Sequence, residues 1–98
     1  MYIIRFSKMA DKDKKLLKGA GLDAKAKKLL NIIAENPFQN PPPYEGLVGN
    51  LNGYYSRRIN LQHRLVYQIY SEPVIINGIE YEGTIKVIRM WSHYDAVR

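Results

Sequence analysis

The stretch Asn36 to Gly46, NPFQNPPPYEG, restricts the fold of this chain more than any other. Four of its eleven residues are proline. Each proline removes a backbone donor and pins φ, so the stretch can be neither helix nor central strand. It reads as an ordered, extended loop held by Phe38 and Tyr44, not as a linker between domains. Before it, the residue pattern suits one strand and two helices; after it, strands alone.

Met1 to Phe6 alternates weakly and is rich in Tyr, Ile and Phe, which predicts a first strand. Ser7 suits the N-cap of a helix running to about Lys18, with Asp11 near its start and Lys14, Lys15 and Lys18 toward its end. Gly19 and Gly21 end it. Asp23 is expected to cap a second helix reaching about Glu35. In that helix Ala26, Leu29, Leu30 and Ile33 recur at helical spacing and form the face that packs on a sheet, leaving Lys25, Lys28 and Asn31 to water.

Beyond the prolines, Tyr54 to Asn60 and Leu65 to Tyr70 read as strands. Asn77-Gly78 is a strong two-residue hairpin signal, because both positions tolerate positive φ. It would join a long Leu65–Ile76 strand to an equally long Ile79–Trp91 strand. Pro73 and Gly83 fall near the middle of these strands and predict bulges or a second turn. The expected order is β-α-α-β-β-β, an α+β domain in which two helices cover one face of a mostly antiparallel sheet.

At 98 residues the chain suits a single domain spanning 1–98. It has no cysteine, which excludes disulfides and thiolate metal sites and makes a reducing cytoplasm the default setting. No apolar run approaches the roughly 20 residues that span a bilayer, and the first residues lack the pattern of a signal peptide, so no membrane association is expected. Lys and Arg number 15 against 9 Asp and Glu, a net charge of +6. That excess suits a polyanionic partner, nucleic acid or an acidic protein segment, with a basic surface kept for solubility as the lesser alternative.

The residues able to do chemistry cluster in Leu51 to Tyr67, LNGYYSRRINLQHRLVY. Strand alternation puts Tyr54, Ser56 and Arg58 on one face and Tyr55, Arg57 and Ile59 on the other. If the Ile59 side is buried, Arg58 projects to the open face, and Arg64 lies near it across the strand pair. Two guanidiniums there would clamp a phosphate through forked hydrogen bonds; solvated strand arginines paired with Glu fit the same spacing. Tyr54, Tyr55, Tyr67 and Tyr94 fall near these cations and suit base stacking, although tyrosine also favours strands on propensity alone. His63 sits in a turn and reads first as an exposed polar residue.

His93 emerges at the end of an apolar strand, and an imidazole with an ordinary pKa of about 6.5 exchanges protons near neutrality. Glu45 lies in the rigid loop with no helix to cap, available as a base or as a neutralising partner for Arg. Two histidines without cysteines or paired acidic spacing do not make a metal site.

The run EGLVGNLNGYYSRRINLQHRLVY, Glu45 to Tyr67, with a closing His93-Tyr94, resembles the YoeB/Txe toxins of type II toxin–antitoxin systems, within the RelE-like superfamily. The resemblance covers nearly the whole chain. It implies a RelE-like fold and a ribosome-dependent endoribonuclease that cuts mRNA in the A site of the 70S ribosome. By motif position, Glu45 resembles the general base, His93 the general acid and Arg64 the cation that stabilises the transition state. Arg58 resembles a phosphate contact; Arg57, Tyr54 and Tyr94 are expected in the RNA-binding surface, and His63 in a supporting role.

No cofactor or metal is implied. The implied partners are a cognate acidic antitoxin of the YefM/Axe kind and a second copy of the chain in a homodimer. The main rival reading is an inactive basic module that acts with an antitoxin as a transcriptional co-regulator; the complete Glu45, Arg64 and His93 set favours the enzyme. Three features depart from the family pattern. Val48-Gly49 replaces basic or polar residues of several members, Glu72 to Gly83 is longer than in compact members, and residues follow Tyr94.

Overall fold

The structure is a computed structural model that describes residues 1–91. In chain order it contains β1 (Tyr2–Phe6), α1 (Lys8–Gly19), α2 (Asp23–Glu35), β2 (Glu45–Gly46), a 3-10 turn (Gly49–Leu51), β3 (Tyr54–Arg58), β4 (Arg64–Tyr70), β5 (Val74–Ile76), β6 (Ile79–Tyr81) and β7 (Gly83–Arg89). Five strands form one sheet in the order β1-β7-β4-β3-β2, while β5 and β6 pair separately. β1 runs parallel to β7 and the other neighbours are antiparallel. The expected α+β architecture holds, with both helices on the sheet.

Both helices begin close to where the sequence places them, but their caps differ. Ser7 Oγ accepts from the Ala10 amide at 3.0 Å and donates to the Ile88 carbonyl at 2.7 Å. The cap thereby satisfies an orphan donor of α1 and fastens the helix to the chain of β7. In α2 the cap position is Leu22, which makes no side-chain bond, and Asp23 is the first helical residue. Asp23 therefore acts only through its charge near the positive end of the helix dipole, not as the cap expected of it.

Ala26, Leu29 and Ile33 of α2 are buried with Ala10 and Leu17 of α1 against Leu65, Tyr67, Ile85 and Val87 of the central strands. Leu30, expected in the same face, is half-buried at its edge. A carboxylate, Asp13, is sealed in beside this layer. Asp13 accepts from Arg89 Nε and from the Met90 amide, both at 2.9 Å, with its side chain only 2% exposed. A carboxylate so buried is tolerable only because charged and backbone donors replace its water.

The two long strands expected around Asn77-Gly78 are each interrupted. The hairpin itself is present, with Asn77 at φ 52° and Gly78 at φ 79°, the positive pair that a tight antiparallel turn requires. It belongs to the separate β5–β6 ribbon, however, because the chain leaves the main sheet after Tyr70 and returns at Gly83. Here glycine is required by space: a Cβ on Gly83 would collide with the Tyr70 carbonyl oxygen. The segment expected to be an extension therefore projects as a ribbon, with Ile75 and Ile79 exposed.

Candidate active site

The register of the sheet edge fixes the site. β3 and β4 pair so that Arg58 lies opposite Arg64 and Ser56 opposite Val66. β2 adds Glu45 opposite Ser56. Residues directly opposite one another share a face, and alternate residues along a strand share it too. Glu45, Ser56, Arg58 and Arg64 therefore all project to the same side of the strand pair, opposite to the Leu65 and Tyr67 side that packs on the helices.

Arg64 joins this group together. Its Nε donates to Ser56 Oγ, and its Nη2 donates to Glu45 Oε2 at 3.2 Å. The Arg64 side chain is 13% exposed, against 55% for Glu45, so the guanidinium is held while the carboxylate remains open to solvent. Arg58 is exposed and has no carboxylate partner among the described residues. Pro43, Tyr44, Glu45, Arg58 and Arg64 line one open cleft of about 380 Å³. One partly desolvated and one exposed guanidinium beside a carboxylate form a place where a phosphate can be bound and a neighbouring hydroxyl deprotonated.

Arg57 is the main correction. Expected in the RNA-binding surface, it points inward and is fully buried. Its Nε donates to Tyr67 Oη at 3.0 Å, Nη1 to the Pro42 carbonyl at 2.7 Å and Nη2 to the Pro37 carbonyl at 3.0 Å. Tyr67 also donates to the Pro37 carbonyl, at 3.2 Å. Its phenol pKa is raised, mainly by burial, with Arg57 pulling the other way. Arg57 thus ties the proline loop to β3 and β4, directly before the loop delivers Glu45. Phe38, Tyr44 and Tyr55 close the same region through edge-to-face ring contacts of 5.6–6.2 Å.

His63 is the second correction, since it is buried and not an exposed turn residue. Asn60 Oδ1 accepts from the Gln62 and His63 amides and shapes the turn. The His63 ring then stacks on Trp91 at 4.0 Å with 18° between planes. Its Nδ1 has no partner among the described residues. The stack places Trp91, two residues before His93 in sequence, beside the turn that leads into Arg64.

Tyr54 shares the open face but packs with Leu47, Leu51 and Val66 and does not line the cleft. Tyr44, which the sequence offered only as a loop anchor, does line it. Its position immediately before Glu45 was the available signal. His93 and Tyr94 lie outside the described residues. Among the described residues, no group of three or more His, Cys, Asp or Glu side chains is arranged to hold a metal.

The class of protein is that of small basic α+β domains, here with two arginines and a carboxylate on the open face of the sheet edge. Residues 6–94 match a family model described as the YoeB-like toxin of bacterial type II toxin-antitoxin system. The chain belongs to that family and is a toxin of a type II toxin–antitoxin system. It is 47% identical to the toxin YoeB of Synechocystis sp. over 64 residues, covering 65% of this chain and 67% of that protein. It resembles YoeB in the heterotetrameric YoeB–YefM toxin–antitoxin complex of Staphylococcus aureus, with TM-score 0.70 and 33% identity, covering 96% of this chain and 99% of that one. A YoeB/ParE toxin from Agrobacterium tumefaciens shares the fold at TM-score 0.78 and 24% identity, over 94% and 99% of the two chains.

Proposed function

We propose that this toxin is a ribosome-dependent endoribonuclease that cleaves mRNA at the Glu45–Arg64 cleft. The observation that carries the reading is the fixed contact between Arg64 and the open Glu45 carboxylate, with Arg58 directly across the strand pair. Glu45 takes the proton from a ribose 2′-hydroxyl, whose oxygen attacks the adjacent phosphorus. As the new P–O bond forms and the bond to the 5′-oxygen breaks, Arg64 and Arg58 offset the charge growing on the phosphoryl oxygens. His93 gives its proton to the departing 5′-oxygen. The products are a 2′,3′-cyclic phosphate and a 5′-hydroxyl.

Positive charge comes from the arginines, so the scheme calls for no metal. Tyr94 is assigned to RNA binding on the family motif alone. A YefM-like acidic antitoxin is the partner that silences the toxin, and its opposite charge suits the +6 chain. No helix among the described residues is long and apolar enough to cross a membrane, and the proposed setting is the cytoplasm, where ribosomes and mRNA are found.

The test is incubation of the pure protein with ribosome-bound mRNA, followed by analysis of the new RNA ends. Cleavage within the A-site codon, leaving 2′,3′-cyclic phosphate ends, is expected. Equal cleavage of naked RNA would contradict ribosome dependence. Intact mRNA would contradict the nuclease reading altogether.

A further inference from the structure

Arg58 is shared by three adjoining concave surfaces. One is the Glu45–Arg64 cleft. The other two lead away from it toward α2: one is walled by Pro43, Asn60 and Leu61, the other by Lys28, Leu29 and Pro42, and Lys25 and Ile59 border both. Pro43 belongs to the cleft as well as to the first of these surfaces. The groove is thus continuous with the cleft through Pro43 and Arg58.

Its chemistry has two parts. Lys25 and Lys28 stand three residues apart on α2 and so share a helix face. Both are exposed, and neither has a carboxylate partner among the described residues. The floor and rim are apolar: Ile59 is buried, whereas Leu61 is 90% exposed at the tip of the turn. An isolated exposed leucine needs no explanation, but here it shares a surface with Pro43, the unpaired Lys25 and Arg58. Cations alternating with flat apolar surface match the repeating unit of a single-stranded polynucleotide, charged along its backbone and apolar on its base faces.

We infer that this groove is a second RNA subsite, which holds the nucleotides flanking the scissile phosphate, with Lys25 and Lys28 on backbone phosphates and Pro43, Ile59 and Leu61 against a base. The inference rests on the proposed nuclease reading for the identity of the strand. An acidic protein segment would also meet the lysines, but it would have no cause to continue into a cleft that pairs arginines with a carboxylate. A polynucleotide must continue, because its next phosphate follows covalently.

The test separates binding from cleavage by using 2′-O-methyl oligoribonucleotides of about three and about ten nucleotides, which lack the attacking hydroxyl. Each neutralised phosphate contributes roughly 0.7 to the salt slope of single-strand binding. Replacing Lys25→Ala and Lys28→Ala together should lower the slope for the longer strand by about 1.4 and weaken its binding, while leaving the shorter strand unaffected. A control variant, Lys12→Ala with Lys15→Ala on α1, removes the same charge and should change the slope little.

Four outcomes overturn the subsite: unchanged binding of the longer strand, equal loss for both strands, equal loss in the control variant, or a lysine pair that affects only antitoxin affinity. Circular dichroism melting should show both double variants to be folded. If wild-type protein cleaves nothing but the longer strand still shows the lysine-dependent slope, the nuclease reading fails and the subsite stands. If it cleaves and the slope is unchanged, the reverse holds.

Discussion

Arg57 and Arg58 are neighbours on β3 with opposite fates. Arg57 points into the protein and gives three hydrogen bonds to Tyr67 and to the carbonyls of Pro37 and Pro42. Arg58 points out, lines the cleft and meets Arg64 across the strand pair. The two side chains have identical chemistry, so the difference comes from strand alternation and from what lies opposite each face. The inner face offers the Pro37 and Pro42 carbonyls and the Tyr67 hydroxyl; the outer face offers solvent and the cleft that Glu45 lines. One arginine holds the loop that presents the carboxylate, and the next faces the cleft proposed to take the phosphate.

The comparison breaks most visibly if activity does not track the outer face. Arg64→Ala should lower the cleavage rate by about 10²–10³-fold, the usual effect of losing one transition-state donor. Its stability should fall by about 1–2 kcal/mol, because one buried group, the Ser56 hydroxyl, loses its donor. Cleavage kinetics and melting on the same preparations check both halves of this expectation.

The inner face should show the converse. Arg57→Ala removes three hydrogen bonds, leaving the half-buried Pro42 carbonyl without this donor and the Pro37 carbonyl and Tyr67 hydroxyl with only each other, at roughly 1–3 kcal/mol for a buried group left without a partner. A loss of about 3 kcal/mol in chemical denaturation is expected, with a melting temperature lower by on the order of 12 °C or more. Arg58→Ala, which removes no buried partner, should stay within about 0.5 kcal/mol of wild type. Equal destabilisation by the two substitutions would refute the division between them.

The division was half legible in the sequence. Alternation assigned Tyr54, Ser56 and Arg58 to one side and Tyr55, Arg57 and Ile59 to the other, and it anticipated Arg64 near Arg58. It could not show that Arg57 is satisfied inside, because its acceptors are backbone carbonyls fifteen and twenty residues earlier. A proline-rich loop advertises its lack of donors but not where its carbonyls point. Asp13 escaped notice for the same reason: its partners Arg89 and Met90 lie 76 and 77 residues away. His63 looked like a solvated turn residue because Trp91 meets it only once the sheet has formed. Local patterns such as the Ser7 cap, the α2 face and the Asn77-Gly78 turn were legible because both partners lie close along the chain.

Smaller effects sharpen the picture. Trp91 is the one tryptophan in the chain, so its fluorescence reports directly on the His63 stack. His63→Ala should shift the emission toward that of an exposed indole and cost about 1 kcal/mol, the scale of a good ring pair. An unchanged spectrum would remove His63 from any part in placing the chain that leads to His93.

The smallest expected effect is alkaline. Burial raises the Tyr67 pKa above its usual 10.0, so as pH climbs the unfolded chain gives up this proton before the folded one does. The contribution of Tyr67 to stability is therefore complete below about pH 10 and is lost as pH rises through its folded pKa. Tyr67→Phe should flatten that part of the alkaline decline, as measured by urea unfolding across the range.

The central claim is that the open carboxylate held by Arg64 does the chemistry while the inner arginine only builds the site. Glu45→Gln is its most direct test, since the amide keeps the shape and the hydrogen-bonding oxygen but cannot serve as a base. Single-turnover cleavage of ribosome-bound mRNA by this variant should be slower than wild type by about 10²-fold or more, with an unchanged melting temperature. Cleavage at the wild-type rate would contradict the account.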